Sequence, residues 1–253
     1  MKTIAWNIYQ GGGKRTSPIL DALTRIDADV CVLTEFNEQR SESLMKSLRK
    51  EGWEYQDSSF SKATGAGLAI ASRFEFQSGD IPECPDEGRW LHVRLPGQDI
   101  DVCAAYAPLA SRHKGEYWDW MIDAVGPLLL RKTLIVGDLN NGLSPQDHSQ
   151  GANPLPKWKK MQEFIDSGWT DLFRHQDPVG NKSSWWTNQG AGFRIDHAFG
   201  SPSLRDALTS VSYVTEIEGA YRPLVDTSGP SAGWTDRASS DHALLEVIVN
   251  AGY

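Results

Sequence analysis

Leu91-His92-Val93-Arg94-Leu95-Pro96-Gly97-Gln98-Asp99-Ile100-Asp101-Val102-Cys103-Ala104-Ala105-Tyr106 reads as two apolar runs, 91–95 and 100–106, on either side of a Pro-Gly-Gln-Asp turn. Proline presets the first turn angle, and glycine and aspartate tolerate the rest, so the runs fold back as an antiparallel hairpin rather than crossing over in parallel. Outward from this hairpin, short runs rich in β-branched residues recur at 3–8, 30–34, 67–71, 133–136, 194–199, 211–215 and 243–249. Each has strand length. Helical patterns fall between them. Ser17-Pro18 supplies a cap and a first-position proline for a helix to about Ile26, residues 41–50 are amphipathic, 116–130 carries apolar positions at helical spacing with a break at Pro127, and 157–167 is a fourth. Many strands with scattered helices predict an α+β sandwich whose helices cover the outer faces of packed antiparallel sheets. No repeat or low-complexity linker interrupts the pattern. The 253 residues therefore fit one domain spanning 1–253, large enough to hide roughly 70 to 75 per cent of its unfolded surface.

Composition narrows the class. With 40% hydrophobic and 23% charged residues the chain is neither a disordered tail nor a fibre. Lys plus Arg number 25 against 33 Asp plus Glu, a net charge of −8, which argues against gripping polyanions through bulk positive charge. No apolar run approaches the ~18 residues that span a bilayer, and the N-terminus lacks a signal-peptide core. The expectation is a cytoplasmic monomer that does not touch membranes. Cys31, Cys84 and Cys103 are odd in number and far apart, without a zinc or redox spacing, and the first and last sit in apolar runs as buried thiols.

The chemistry lies where polar residues interrupt strand ends. Asn7 closes the first strand and Glu35 follows the second. Asp138 and Asn140 follow 133–136, Asp196 lies inside Arg194-Ile195-Asp196-His197, and Asp241-His242 precede the last strand. A rigid sheet rim can hold such groups to catalytic tolerance. Singly, each has a plain alternative: Gly137-Asp138-Leu139-Asn140 as a strand-ending turn, Glu35 as a return to solvent, Ser239-Ser240-Asp241-His242 as an Asx turn. The long weakly patterned stretches 141–156 and 218–240 read as functional loops.

Their joint occurrence, in this order, resembles the endonuclease/exonuclease/phosphatase superfamily, closest to its exonuclease III and apurinic endonuclease branch. The matching blocks are Ile4-Ala5-Trp6-Asn7, Val32-Leu33-Thr34-Glu35, Gly67 to Arg73, Ala105-Tyr106-Ala107-Pro108, Val136-Gly137-Asp138-Leu139-Asn140, Phe193-Arg194-Ile195-Asp196-His197 and Ser240-Asp241-His242. Gly-Asp-x-Asn and the closing Ser-Asp-His are specific as a pair. The resemblance implies a four-layer α/β/β/α sandwich of two mostly antiparallel sheets with a metal-dependent phosphodiesterase site at one edge. Glu35 and Asn7 would supply hard oxygen ligands to Mg²⁺, with Mn²⁺ as the alternative ion, and Asp241 an outer ligand or a second metal position. Asp138 would orient or deprotonate the attacking water, and Asn140 would donate to a phosphate oxygen or to the nucleophile. His242 would act as cationic donor or general base, held in its tautomer by Asp196. Tyr106 would contact the scissile phosphate. The chain departs from the branch at Tyr9, where an acid is common, at Thr34 in place of Gln, and at His197 in place of Tyr.

Substrate contacts are read from the loops. Gly11-Gly12-Gly13-Lys14-Arg15 lacks P-loop spacing, leaving Lys14 and Arg15 either as phosphate contacts or as a solvated turn. Arg112 falls in Arg112-His113-Lys114, just past Tyr106. Trp185, Trp186 and Phe193 match the region that receives a flipped-out or abasic nucleotide in the branch, with only one of the two tryptophans facing the pocket by alternation and the other in the core. These readings predict a DNA nuclease with exonuclease III-like or abasic-site endonuclease activity. The same chemistry on RNA, a phosphoinositide or a sphingolipid headgroup is the alternative. Net charge does not exclude nucleic acid, since a bound divalent cation reverses the sign of a converged acidic site.

Overall fold

A computed structural model describes residues 1–61, 65, 67–81, 84, 86–226 and 238–250, with Ser111 and Arg112 described in their backbone alone. In chain order the elements are β1 (Lys2–Asn7), α1 (Thr16–Ile26), β2 (Val30–Thr34), α2 (Glu38–Lys50), β3 (Tyr55–Phe60), β4 (Gly67–Ser72), β5 (Gln77–Ser78), β6 (Trp90–Leu95), β7 (Ile100–Tyr106), α3 (Ser111–Ala124), β8 (Thr133–Asp138), α4 (Trp158–Asp166), β9 (Thr170–Asp171), α5 (Leu172–Gln176), β10 (Trp185–Trp186), β11 (Gly192–Phe193), β12 (Asp196–Gly200), α6 (Pro202–Asp206), β13 (Leu208–Val214) and β14 (Leu244–Val249).

Two six-stranded sheets form, ordered β13-β14-β1-β2-β4-β3 and β5-β6-β7-β8-β12-β9, beside a small β10-β11 ribbon. The β6-β7 hairpin is antiparallel as its turn predicts. Each large sheet nevertheless carries one parallel pair at its centre, β1-β2 and β7-β8, so the sheets are mixed. Parallel neighbours need covering on both faces, and the strands comply: Val30, Val32, Val102, Leu134 and Val136 fill a core between the sheets. Alternate residues of the same strands point outward. Ile4, Trp6, Cys31 and Leu33 pack under α1 and α2, while Cys103, Ile135 and Phe199 pack with Trp118 and Met121 of α3 and with Met161 and Phe164 of α4. Three apolar layers between four structural layers make the α/β/β/α sandwich. Each fully buried aliphatic chain contributes about 1.5–3 kcal/mol to holding it.

Several boundaries differ from the sequence reading. Arg15, not Ser17, occupies the cap position of α1, and Pro18 lies within its first turn. The third helix starts at Ser111, five residues earlier than the pattern suggests, and Pro127 sits in a separate 3₁₀ turn, Gly126–Leu130. Asp196 opens β12, so Arg194 and Ile195 precede the strand. Strand β3 escapes the pattern because its residues, YQDSSF, lie at a polar sheet edge. The remaining missed elements have two to five residues each, too few for a period. Among the described residues no helix is long and apolar enough to cross a membrane.

Candidate active site

The sheet order delivers the polar strand ends to one rim. In the second sheet Tyr106 is the register partner of Asp138, and Asp138 of Asp196, so three adjacent strands present side chains at one level. In the first sheet Asn7 ends β1 opposite Thr34, with Glu35 next along the chain. His242 precedes β14, the other neighbour of β1. Close backbone approach makes this possible: Gly137 has φ +149°, and a Cβ there would lie 2.0 Å from the Ala105 carbonyl oxygen, so only glycine can precede Asp138.

At the centre the Asn7 amide donates to Glu35 Oε1 at 3.1 Å and to Asp138 Oδ2 at 3.0 Å. Its own oxygen accepts from Tyr9 N at 2.9 Å. Asn7 thus faces both carboxylates with N–H groups, which differs from the oxygen ligand that the sequence suggests. Asp138 Oδ1 accepts from Asn140 N at 2.9 Å, and Asn140 Nδ2 donates to Ala107 O at 2.8 Å. His242 Nδ1 lies 2.8 Å from Asp196 Oδ2, leaving Nε2 for the cavity. Ser184 Oγ holds the start of β12 by accepting from Ile195 N and Asp196 N at 2.9 and 3.0 Å, and Ser240 Oγ ties the His242 turn to Asn7 O at 2.5 Å.

Burial sets the electrostatics. Asp138 is pushed up to about 7 by desolvation and then by the charge of Asp196. Desolvation pulls His242 down, but the Asp196 carboxylate overrides it and raises the imidazole to about 10, so it is cationic at neutral pH. Burial raises Asp241 as well, and Tyr106 is raised by burial and by the nearby Glu35 and Asp138 carboxylates. The Arg89 guanidinium lies over the Tyr106 ring, 4.4 Å from its centroid.

Part of this set lines a cavity of about 340 Å³. Its polar end comprises Glu35, Asp138, Asn140, Asp241 and His242, and its apolar wall Leu109, Leu155, Pro156, Trp185 and Ile195, with Lys114 among them. A second cleft of about 380 Å³ shares Glu35 and carries Tyr106, Arg40 and Arg89. Atoms of Asp138, Asp196 and His242 lie within 4.8 Å of one another. Asp241 Oδ1 is buried and accepts no hydrogen bond. A cavity that gathers three carboxylates, one with an unsatisfied buried oxygen, is the donor set of a hard divalent cation.

The other substrate candidates separate. Trp185 lies on the cavity wall, its Nε1 3.3 Å from Asp241 Oδ2. Trp186 is half-buried on the ribbon rather than in the core that alternation suggests, and Phe193 supports Trp185 from behind, ring centroids 6.0 Å apart. Lys14 is exposed. Arg15 is committed to the main chain, donating to Ser239 O at 2.6 Å and to Tyr9 O, so it braces the site. The glycine run serves Glu35: Tyr9 to Gly13 all have positive φ, and this left-handed curl brings Gln10 N to Glu35 Oε2 at 2.8 Å and Gly11 N to Glu35 O at 2.8 Å. The Arg112 side chain falls outside the described residues, and His113 is exposed beside Glu116.

A family model for the Endonuclease/Exonuclease/phosphatase family matches residues 4–242. The chain belongs to that family. It is therefore a hydrolase of phosphate esters, with a site of the metal-dependent kind that the family carries. It is 23% identical over 276 residues to an exodeoxyribonuclease of Bacillus subtilis (strain 168), covering 99% of this chain and 100% of that one. Its fold is shared with an AP endonuclease from Archaeoglobus fulgidus, at 18% identity and a TM-score of 0.78, and with a Neisseria 3′ phosphatase solved with a product DNA hairpin, at 21% identity and 0.77; each comparison covers 99% of both chains.

Proposed function

We propose that this family member is a Mg²⁺-dependent nuclease that hydrolyses DNA phosphodiester bonds, with exonuclease III-like or abasic-site endonuclease activity. The observation that carries the reading is the pairing of an anionic, cation-ready end with an apolar wall bearing Trp185 in one cavity. The first suits a phosphate, and the second an unstacked sugar or base.

Glu35 and Asp241 would hold Mg²⁺ or Mn²⁺, and the bound ion would supply charge neutralisation at the phosphate and leaving oxygen. The chain's own residues supply the rest. Asp138 is poised near neutrality to orient the water that attacks phosphorus and to take its proton, and that proton is available for return to the departing oxygen. His242, cationic and fixed by Asp196, donates from Nε2 to a non-bridging oxygen. This favours the donor role over the base. Asn140 lines the same polar end, and Tyr106 lies in the adjoining cleft with its hydroxyl protonated. The reading carries with it a cytoplasmic monomer, and the three unpaired cysteines fit a reducing compartment.

The test is a gel assay on abasic-site and recessed-end DNA duplexes with Mg²⁺, beside RNA, phosphoinositide and sphingomyelin substrates. Metal-dependent DNA cleavage lost in Asp138→Ala and His242→Ala is the expected result. Turnover of the lipid or RNA substrates alone overturns it.

A further inference from the structure

Lys114 is 2% exposed in the first turn of α3, yet it belongs to the wall of the catalytic cavity beside Asp138 and Asn140. Its Nζ donates to the main-chain oxygen of Asn140 at 2.7 Å. Among the described residues it has no other hydrogen-bond acceptor and no carboxylate within ion-pairing distance. The other fully buried cation, Arg194, is by contrast paired with Asp147 and Asp171. An ammonium has three N–H donors and strongly disfavours burial without a counter-charge. Leu109, Leu155 and Pro156 on the same wall offer it none. The charge is met in the free protein only at a distance, by the Asp138 carboxylate on the same cavity, and two of the ammonium N–H groups are left for a ligand.

We propose that Lys114 is a substrate-binding residue whose ammonium takes a phosphate oxygen of the nucleic-acid backbone inside the cavity, while its bond to Asn140 fixes it in place. The proposal rests on the nuclease reading above. It names the group that receives the strand where the carboxylates would repel it.

The measurement is the affinity of the intact protein for a fluorescein-labelled recessed DNA duplex in Ca²⁺, as fluorescence anisotropy over a range of salt concentrations, for wild type, Lys114→Met and Lys114→Arg. Lys114→Met is expected to weaken binding about 10-fold and to reduce the slope of log affinity against log salt by about one. Lys114→Arg should keep the slope. A Lys114 that only braces Asn140 would change melting temperature and leave the salt slope untouched, and that result overturns the proposal. If melting drops in Lys114→Met, the comparison of slopes between wild type and Lys114→Arg, together with Lys114→Gln, decides in its place. DNA binding with unchanged slopes sinks this inference alone, whereas a wild-type protein that binds no DNA sinks the nuclease reading with it.

Discussion

Two buried clusters in this protein have the same composition, two aspartates and a histidine. Asp138, Asp196 and His242 form one, and Asp147, Asp171 and His197 the other, each with ligand atoms within 4.8 Å. The second is already neutralised. Arg194, fully buried, donates to Asp147 at 2.8 and 2.9 Å and to Asp171 at 3.2 and 2.6 Å, and Arg174 adds a bond to Asp147. Its His197 turns Nε2 to Asn141 O at 2.8 Å. The first has no guanidinium: its charge is met by His242 and the Asn7 amide, and it opens on a cavity beside Asp241. The difference teaches that the same residue types form a closed structural knot where guanidinium groups satisfy both carboxylates, and stay open to a cavity with further carboxylates where only His242 and an amide meet the charge.

The comparison can be broken at several points. Chelation with EDTA should abolish cleavage and added Mg²⁺ restore it, and Asp138→Asn should lower kcat by about 10³ to 10⁴ without unfolding the chain, since it removes the proton acceptor; steady-state kinetics and a thermal melt check both. Retained cleavage in EDTA would mean that the first cluster resembles the second. Next, Arg194→Met should cost about 3–5 kcal/mol of stability by leaving the buried Asp171 without its guanidinium and Asp147 with Arg174 alone, read by urea denaturation. If the variant instead keeps its midpoint, Arg194 is not what satisfies the second cluster.

A smaller effect is expected at the wall of the first cluster. Trp185→Ala should weaken substrate binding by about 1–3 kcal/mol through lost stacking, seen as a rise in KM with kcat little changed. The smallest is a matter of pH. Although burial alone would raise it, Arg194 and His197 hold the Asp171 carboxyl well below its ordinary range, and Asp147 is lowered likewise. A carboxyl depressed in the folded state stabilises above its unfolded pKa of ~4 and loses that contribution as pH falls below it. Wild type should therefore lose melting temperature from pH 5 to pH 3 more steeply than Arg194→Met, in which the largest source of the depression is gone. Parallel curves would remove the second cluster's charge pairing from the account.

The catalytic cluster was legible because its members sit at chain positions with a local signature: an apolar run, then Asn7, Glu35, Asp138 or Asp196. The neutralised cluster was not. Arg194 reads as one more strand residue, and Asp147 lies within the loop 141–156, where polar residues carry no period. Lys114 was visible as part of a basic triplet, but the triplet does not say which of its members turns inward. The glycines after Asn7 advertised a loop, and their left-handed run around Glu35 emerges only when both strand ends are in place.

By itself the sequence determined the hairpin, the α+β class and the order of acidic, amide and imidazole residues at strand ends, because these follow from short-range turn chemistry and from apolar runs. Tertiary structure decided the rest. Register alone puts Tyr106, Asp138 and Asp196 at one level, and the stacking of two sheets brings Asn7 within 3.0 Å of Asp138, 131 residues away. It also decided which aspartates meet an arginine and which are left for a metal ion. Charge pairing is a property of distance, and no spacing along the chain encodes it.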